Sequence, residues 1–246
     1  MKNKAEFEEF ISGYQVNEDM AYPPLVADLF SIYKYIRENR VVSVLEFGCG
    51  WSSLVIAEAL RENYELHSEF FLKEVRHPNP FQLLSVDTSS HYISIAKSRL
   101  STDLLRFAVF HQSECKMSLV KDQIAHLYSD IPPWTADLVY LDGPDCDHVT
   151  GEINGFTVNF GDIDKPYGLP MSGDLIRLEP FFWPGSHILT DGRGANAFFL
   201  RSNFTRAWTY TYDVTLDQHH FHLDEEPWGT FSAKLIRFKN ELEVQN

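Results

Sequence analysis

Acidic residues and glycines follow apolar runs at several points in this sequence, and their types and spacing are suited to binding chemistry. Residues 41–45 (Val-Val-Ser-Val-Leu) lead to Glu46 and then to a Gly-Cys-Gly turn at residues 48–50. Apolar residues at helical spacing follow over residues 51–60. A glycine at such a junction lets the backbone approach a ligand closely, because it has no Cβ. This strand–turn–helix order predicts a site for a nucleotide-like ligand at the edge of a parallel sheet.

Further apolar runs also end at polar residues. Because the carboxyl ends of parallel strands meet at one edge of a sheet, we expect these residues to lie close to the glycine turn. The strand ends in question are Asp87 after residues 81–86, Ser113 after residues 105–110, Asp142 after residues 136–141, and Asp191 after residues 187–190.

The alternation of apolar runs and helical patterns predicts an α/β fold with a doubly wound, mainly parallel sheet. Helices are predicted over residues 5–38 in two pieces, over residues 119–128 and over residues 174–182, with final strands at 208–214 and 230–238. Residues 61–80 are interpreted as an insertion or an extended helix end. Residues 145–173, which are rich in Gly and Asp, are interpreted as an ordered lid over a site.

Composition narrows the classes of partner. The formal net charge of −14 disfavours a broad electrostatic grip on nucleic acid or on an anionic membrane. No stretch approaches the roughly 20 apolar residues that a membrane span needs, and the polar amino terminus is unlike a signal peptide. Three scattered cysteines are typical of a reduced compartment. We therefore expect a cytoplasmic protein with a small-molecule partner; the composition leaves the oligomeric state open.

The ordered set of strand-end residues resembles the class I methyltransferases that use S-adenosylmethionine, among them the small-molecule O-methyltransferases. The resemblance covers residues 41–240 and implies a seven-stranded, Rossmann-like sheet with a terminal antiparallel strand. It also implies a helical cap at residues 1–40 and a cofactor-binding domain at residues 41–246, with insertions near 61–80 and 145–173.

The same resemblance implies roles for single residues. Asp87 would accept hydrogen bonds from the ribose hydroxyls, a role that suits an acceptor-only carboxylate. Ser113 would contact the adenine, and Asp142 would lie beside the transferable methyl group. Trp51 stands where the first motif lacks a third glycine, so its ring would border the cofactor. The implied cofactor-binding residues are Glu46, Gly48, Cys49, Gly50, Trp51, Ser52, Asp87, Thr88, Ser113 and Asp142.

Methyl transfer to a hydroxyl requires a positioned nucleophile and a group that removes its proton. Asp142 is the first candidate near the reaction centre, and His148 is a second base, since the pKa of histidine lies near neutral pH. Asp191 is a third candidate for the catalytic set. Arg193 could bind a substrate carboxylate or phosphate in bidentate fashion, or form a salt bridge within the fold.

A divalent cation such as Mg²⁺ is a further possibility, with Asp142 and Asp191 as ligands. One ligand of the pattern seen in some O-methyltransferases is absent, and Asn196 or an aspartate from residues 145–164 would have to replace it. The run 219–222 (His-His-Phe-His) matches no zinc-binding spacing.

These observations predict methyl transfer from S-adenosylmethionine to a small polar metabolite, at a hydroxyl oxygen. Two alternatives stay open. One is aminopropyl transfer, which uses the same fold and would need acidic residues for a polyamine. The other is a cofactor-binding protein or partner subunit without catalysis.

Overall fold

The computed structural model describes residues 1–14, 23, 25–145, 148–157 and 171–240. Helices lie on both faces of a central sheet, and two short 3-10 turns (Leu104–Phe107 and Glu179–Phe181) accompany them. The helices are α1 (Lys4–Ser12), α2 (Val26–Glu38), α3 (Trp51–Glu74), α4 (Ser90–Arg99), α5 (Asp174–Leu178), α6 (Gly194–Asn203) and α7 (Thr230–Asn240). The strands are β1 (Ser43–Phe47), β2 (Gln82–Asp87), β3 (Ala108–Gln112), β4 (Cys115–Val120), β5 (Gln123–Tyr128), β6 (Leu138–Leu141), β7 (Val149–Thr150), β8 (Met171–Ser172), β9 (His187–Asp191), β10 (Trp208–Asp213) and β11 (Gln218–Leu223).

The central sheet has seven strands in the order β10-β11-β9-β6-β1-β2-β3. Every neighbouring pair is parallel except those made by β11, which runs antiparallel to both β9 and β10. The chain therefore winds outward from β1 in both directions and closes with a reversed hairpin. This confirms the predicted fold class, an α/β fold with a doubly wound, mainly parallel seven-stranded sheet that ends in an antiparallel strand pair.

Each face of the sheet carries a hydrophobic core. One core joins α1, α2, α3 and α7 to the sheet, and the other joins α5, α6 and the β4–β5 hairpin to it. The two amino-terminal helices share the first core: the rings of Phe7 and Tyr33 lie 5.2 Å apart, and the Tyr33 hydroxyl donates to Glu62 of α3 at 2.7 Å. Among the described residues, no helix combines the length and the apolar character needed to span a membrane.

The predicted helix at residues 119–128 is wrong. β4 and β5 form an antiparallel hairpin there, and with β7 and β8 they make a second sheet in the order β7-β4-β5-β8. The turn is made by Lys121 and Asp122, both in the left-handed region at φ 50° and 59°. Two such residues form the tight turn that suits twisted hairpins, but Asn-Gly and Asp-Gly are its usual sequences. Lys-Asp therefore gave no turn signal.

The predicted strand at residues 230–238 is also wrong, since these residues belong to α7. Phe231, Leu235 and Phe238 recur at helical spacing and pack against the first core. The last strand is instead β11, which contains the histidine run. Residues 61–74 continue α3, so this part of the predicted insertion is the extended helix end, fixed by Phe71, whose ring lies 4.9 Å from that of Phe238.

Two other segments differ in detail. The predicted helix at 174–182 is a short α5 followed by a 3-10 turn. Of the predicted lid, residues 145, 148–157 and 171–173 are described and include β7 and β8; the remainder lies outside the described residues.

Candidate active site

Two glycines bring the ends of β1 and β6 into direct backbone contact. A Cβ on Gly143 would lie 2.5 Å from Gly48 Cα, and a Cβ on Gly48 would lie 2.9 Å from Gly143 Cα. Gly48 also has a left-handed φ of 88°, which favours glycine. The contact sets the relative position of the glycine turn and the loop after β6. Gly143 is not among the site residues predicted above, because its role depends on a partner 95 residues away in the chain, visible only in the folded structure.

Glu46 lies beneath the glycine turn and is fully buried. Its Oε2 accepts hydrogen bonds from the hydroxyls of Ser53 at 2.5 Å and Ser85 at 2.6 Å. The Ser53 hydroxyl in turn accepts the backbone N–H of Gly50 at 3.1 Å. Glu46 therefore holds the turn through Ser53 and does not line the cleft described below.

Burial raises the pKa of Glu46 to about 7, although the surrounding serine hydroxyls lower it. A carboxyl whose pKa is higher in the folded state than in the unfolded state makes stability fall as pH rises between the two values. We expect Glu46 to cost the wild type about 3 kcal/mol of unfolding free energy between about pH 5 and about pH 8. Glu46→Gln should remove this part of the pH dependence. Urea denaturation of both proteins at the two pH values measures the difference.

Asp122→Asn is the control, because Asp122 is an exposed turn residue at a left-handed φ that Asn tolerates. It should retain the wild-type slope. An equal loss of stability with pH in the Glu46→Gln and wild-type proteins would contradict the assignment.

Asp87 connects the end of β2 to the glycine turn. Its Oδ2 accepts the backbone N–H of Cys49 at 2.8 Å, and its Oδ1 accepts that of Ser89 at 2.7 Å. The side chain is buried but lines the cleft. A carboxylate has about four acceptor positions, so Asp87 can take further hydrogen bonds from a ligand.

A cleft of about 510 Å³ runs along the carboxyl ends of β1, β2, β6 and β9 and under the start of α2. Its volume is within the range of small-molecule sites. Most of the predicted site residues line it: Gly48, Cys49, Gly50, Trp51, Ser52, Asp87, Asp142, His148, Asp191 and Arg193. Lining residues that were not predicted as site residues include Asp28, Leu29, Tyr92, Arg99, Tyr140, Gly143, Pro144 and Asp145.

Three predicted cofactor residues do not line the cleft: Glu46, Thr88 and Ser113. The Ser113 hydroxyl accepts the Asp130 N–H at 2.9 Å, and the Ser113 N–H donates to the Asp87 carbonyl at 2.9 Å. Ser113 thus ties the end of β2 to the segment after β5. The Thr88 carbonyl accepts from the Gln112 side chain at 3.2 Å.

Trp51 borders the cleft where α3 begins. The Arg99 guanidinium of α4 lies 4.3 Å from the centre of its indole ring, a cation–π arrangement that fixes the ring. The side of the cleft near Asp87 therefore has an aromatic wall.

Arg193 is bound to the loop that follows β6. Its guanidinium donates to the backbone carbonyl of Asp142 at 2.7 Å and to that of Pro144 at 3.3 Å. These bonds orient the loop residues beside the cleft. The partners of the Arg193 guanidinium among the described residues are thus backbone carbonyls, whereas a salt bridge was considered above.

Asp142 lies where β6 ends, and its electrostatic surroundings are mixed. Burial raises the pKa of its carboxyl to about 7, with Arg193 lowering it and Asp191 raising it. The pKa of Asp191 is raised by burial and then by Asp28, while Arg193 lowers it. Asp142 can therefore exchange a proton near neutral pH. His148, the other candidate base, lines the same cleft, and the centre of its ring lies 5.6 Å from that of the Tyr92 ring.

The part of the chain that the structure describes contains no group of three His, Cys, Asp or Glu side chains placed to hold a metal ion. Asn196, considered above as a replacement ligand, accepts the Ser172 N–H through its Oδ1 at 2.6 Å. On β11, the ring of His222 stacks on that of His187 with 4.4 Å between the ring centres, at the opposite end of β9 from Asp191.

Comparison with known proteins gives structural likeness only. No family model and no curated protein matches the sequence. Solved structures that resemble the chain include the O-methyltransferase TomG of Streptomyces achromogenes, involved in tomaymycin synthesis and in complex with S-adenosylmethionine (13% identity, 92% of this chain and 100% of that chain, TM-score 0.45). A Podospora anserina methyltransferase bound to S-adenosylhomocysteine gives 11% identity over 91% of this chain and 88% of that chain, with a TM-score of 0.49.

An O-methyltransferase of Bacillus cereus in complex with S-adenosylhomocysteine gives 10% identity over 90% of each chain, with a TM-score of 0.44. These three neighbours are methyltransferases, and all three TM-scores lie below 0.5.

Proposed function

We propose that the protein transfers a methyl group from S-adenosylmethionine to a hydroxyl oxygen of a small polar metabolite. The observation that carries this proposal is a single cleft lined by the Gly48–Ser52 turn and Asp87 on one side and by Asp142 on the other. One cleft would therefore hold both the nucleoside of the cofactor and the group that accepts the proton.

The residues of the first half fit this cofactor. Asp87 is held by two backbone N–H groups and still offers carboxylate lone pairs to a vicinal diol. A Cβ at Gly50 would meet nothing within 4 Å, so this glycine faces open space at the turn. Trp51, held by Arg99, supplies an aromatic wall beside it.

The residues of the second half fit deprotonation of a hydroxyl. When bound, S-adenosylmethionine would supply an electrophilic methyl group. Asp142 would remove the proton from the acceptor hydroxyl, a task favoured by a pKa of about 7. Arg193 would keep Asp142 in position through its backbone carbonyl. His148 is the second candidate for the same proton.

Calorimetry with S-adenosylmethionine and S-adenosylhomocysteine tests the proposal. We expect both to bind, and Asp87→Ala to weaken each by about 1.5–3 kcal/mol, because hydrogen bonds to a charged group are lost. Asp122→Asn should bind like the wild type. If neither compound bound to the wild type, the proposed function would be overturned. An unchanged affinity in Asp87→Ala would show that Asp87 does not bind the ribose.

A further inference from the structure

Tyr140 is a buried polar side chain whose hydroxyl is unused. It lies on β6, paired in register with Glu46 of β1 and Leu189 of β9, and only 3% of its surface is exposed. That exposed part lines the cleft. Within the described part of the chain its hydroxyl has no hydrogen-bond partner, and the oxygen is open to the cleft instead of sealed in the core. A hydroxyl that can both donate and accept is therefore available to a ligand atom in the cleft.

Carboxylates line the same cleft as this hydroxyl. Asp28 projects from the first turn of α2, and Asp191 ends β9; both line the cleft. Burial raises the pKa of Tyr140, and the charges of Asp142, Asp191 and Asp28 raise it further. Asp28 and Asp191 also act on each other: the pKa of Asp191 is raised by burial and then by Asp28. On the neighbouring strand β9, Asp191 lies two residues beyond Leu189, the register partner of Tyr140, so both side chains are on the same face of the sheet. Tyr140, Asp191 and Asp28, which lines the same cleft, define its acidic corner.

The positive charges of the cleft compensate the carboxylates of that corner only in part, since burial and the neighbouring carboxylates keep the pKa of Asp191 raised although Arg193 lowers it. Among the described lining residues the permanent cations are Arg99 and Arg193. Arg193 is bound to the carbonyls of Asp142 and Pro144, and Arg99 is stacked on Trp51. Within the described part of the chain, neither Asp28 nor Asp191 forms a salt bridge.

We propose that the corner formed by Tyr140, Asp28 and Asp191 binds a protonated amino group, so that the methyl acceptor is a small molecule bearing both an amine and a hydroxyl; this rests on the proposed function. A primary ammonium has three N–H donors and no acceptor. It would donate to the Tyr140 hydroxyl and to the two carboxylates, which leaves Asp142 for the acceptor hydroxyl. A neutral group at this corner would add no positive charge to the carboxylates, and an anionic group would add repulsion.

Ligand-observed NMR on protein saturated with S-adenosylhomocysteine tests the inference. The probes are a set of small hydroxylated primary amines, each paired with its N-acetylated counterpart. We expect binding to be confined to the amines, with a preference of about tenfold or more within a pair, since an ammonium–carboxylate contact is lost in the amide. Asp28→Asn and Tyr140→Phe should each lose about tenfold of amine affinity. The matched controls Asp122→Asn and Tyr64→Phe, outside the cleft, should lose none.

Three results would overturn the inference. The first is equal binding of amines and amides, or binding of neither. The second is weaker binding of S-adenosylhomocysteine to Asp28→Asn and Tyr140→Phe, which would assign the corner to the cofactor's own amino group. The third is displacement of bound amines by Mg²⁺, which would make the corner a cation site. Failure of S-adenosylhomocysteine to bind the wild type is a failure of the proposed function instead, and the same probes then report on the corner in the protein alone.

Discussion

Replacing Asp142 with asparagine is expected to lower turnover by about 10²–10⁴-fold, the usual contribution of a positioned general base. The amide has the same shape but cannot accept the proton of the acceptor hydroxyl. Because the pKa of Asp142 is raised to about 7, wild-type activity should rise with pH through that value as the carboxyl ionises. The measurement is S-adenosylhomocysteine formed per unit time with the fastest acceptor from the amine set, from about pH 6 to about pH 8.

The rising limb should be absent in Asp142→Asn, while the affinity for S-adenosylhomocysteine stays close to that of the wild type. Asp122→Asn should keep both the rate and the profile. If Asp142→Asn retained the rising limb with a small loss of turnover, the base would be another group, and His148→Gln would be the next variant to assay.

The second large effect is expected on stability. Gly143→Ala should lower the free energy of unfolding by about 3 kcal/mol or more, because its Cβ would meet backbone atoms that cannot rotate away. The nearest of these is Gly48 Cα, at 2.5 Å from the ideal Cβ position. Denaturant unfolding at constant pH measures the loss.

Gly50→Ala is the matched control on the same turn. Its Cβ would meet nothing within 4 Å, and its φ of −175° is extended backbone open to any residue. We expect its stability to stay within about 0.5 kcal/mol of the wild type, while the added methyl in the cleft weakens S-adenosylhomocysteine binding. A Gly143→Ala protein as stable as Gly50→Ala would show that β1 and β6 can separate without cost.

The parallel sheet and the glycine-turn side of the cleft can be predicted from the sequence because both depend on local patterns. An apolar run followed by a polar strand end, as at Asp87 or Asp142, is readable over fewer than ten residues. Parallel strands then bring those ends together without further information. The places of Trp51 and Ser52 in the cleft can be predicted from the same glycine turn.

What the sequence does not reveal depends on contacts between distant segments. In the sequence Tyr140 resembles any other apolar strand residue, and its position in the same cleft as Asp28 is visible only in the folded structure. Ser53 and Ser85 become functional only through their shared contact with buried Glu46. The β4–β5 hairpin was missed for a different reason, namely a turn made of unusual residues.

The second sheet has a consequence for changes in the length of the chain between β7 and β8. β7 pairs with β4 and β8 pairs with β5, so these two short strands lie on the opposite outer edges of the β4–β5 hairpin. Whatever length of chain joins β7 to β8 starts and ends at fixed anchor points. The entropy cost of closing a loop grows slowly with its length. Insertions or deletions between β7 and β8 should therefore leave the central sheet and the glycine-turn side of the cleft unchanged. The length of the connection between β7 and β8 can thus vary without refolding of the central sheet.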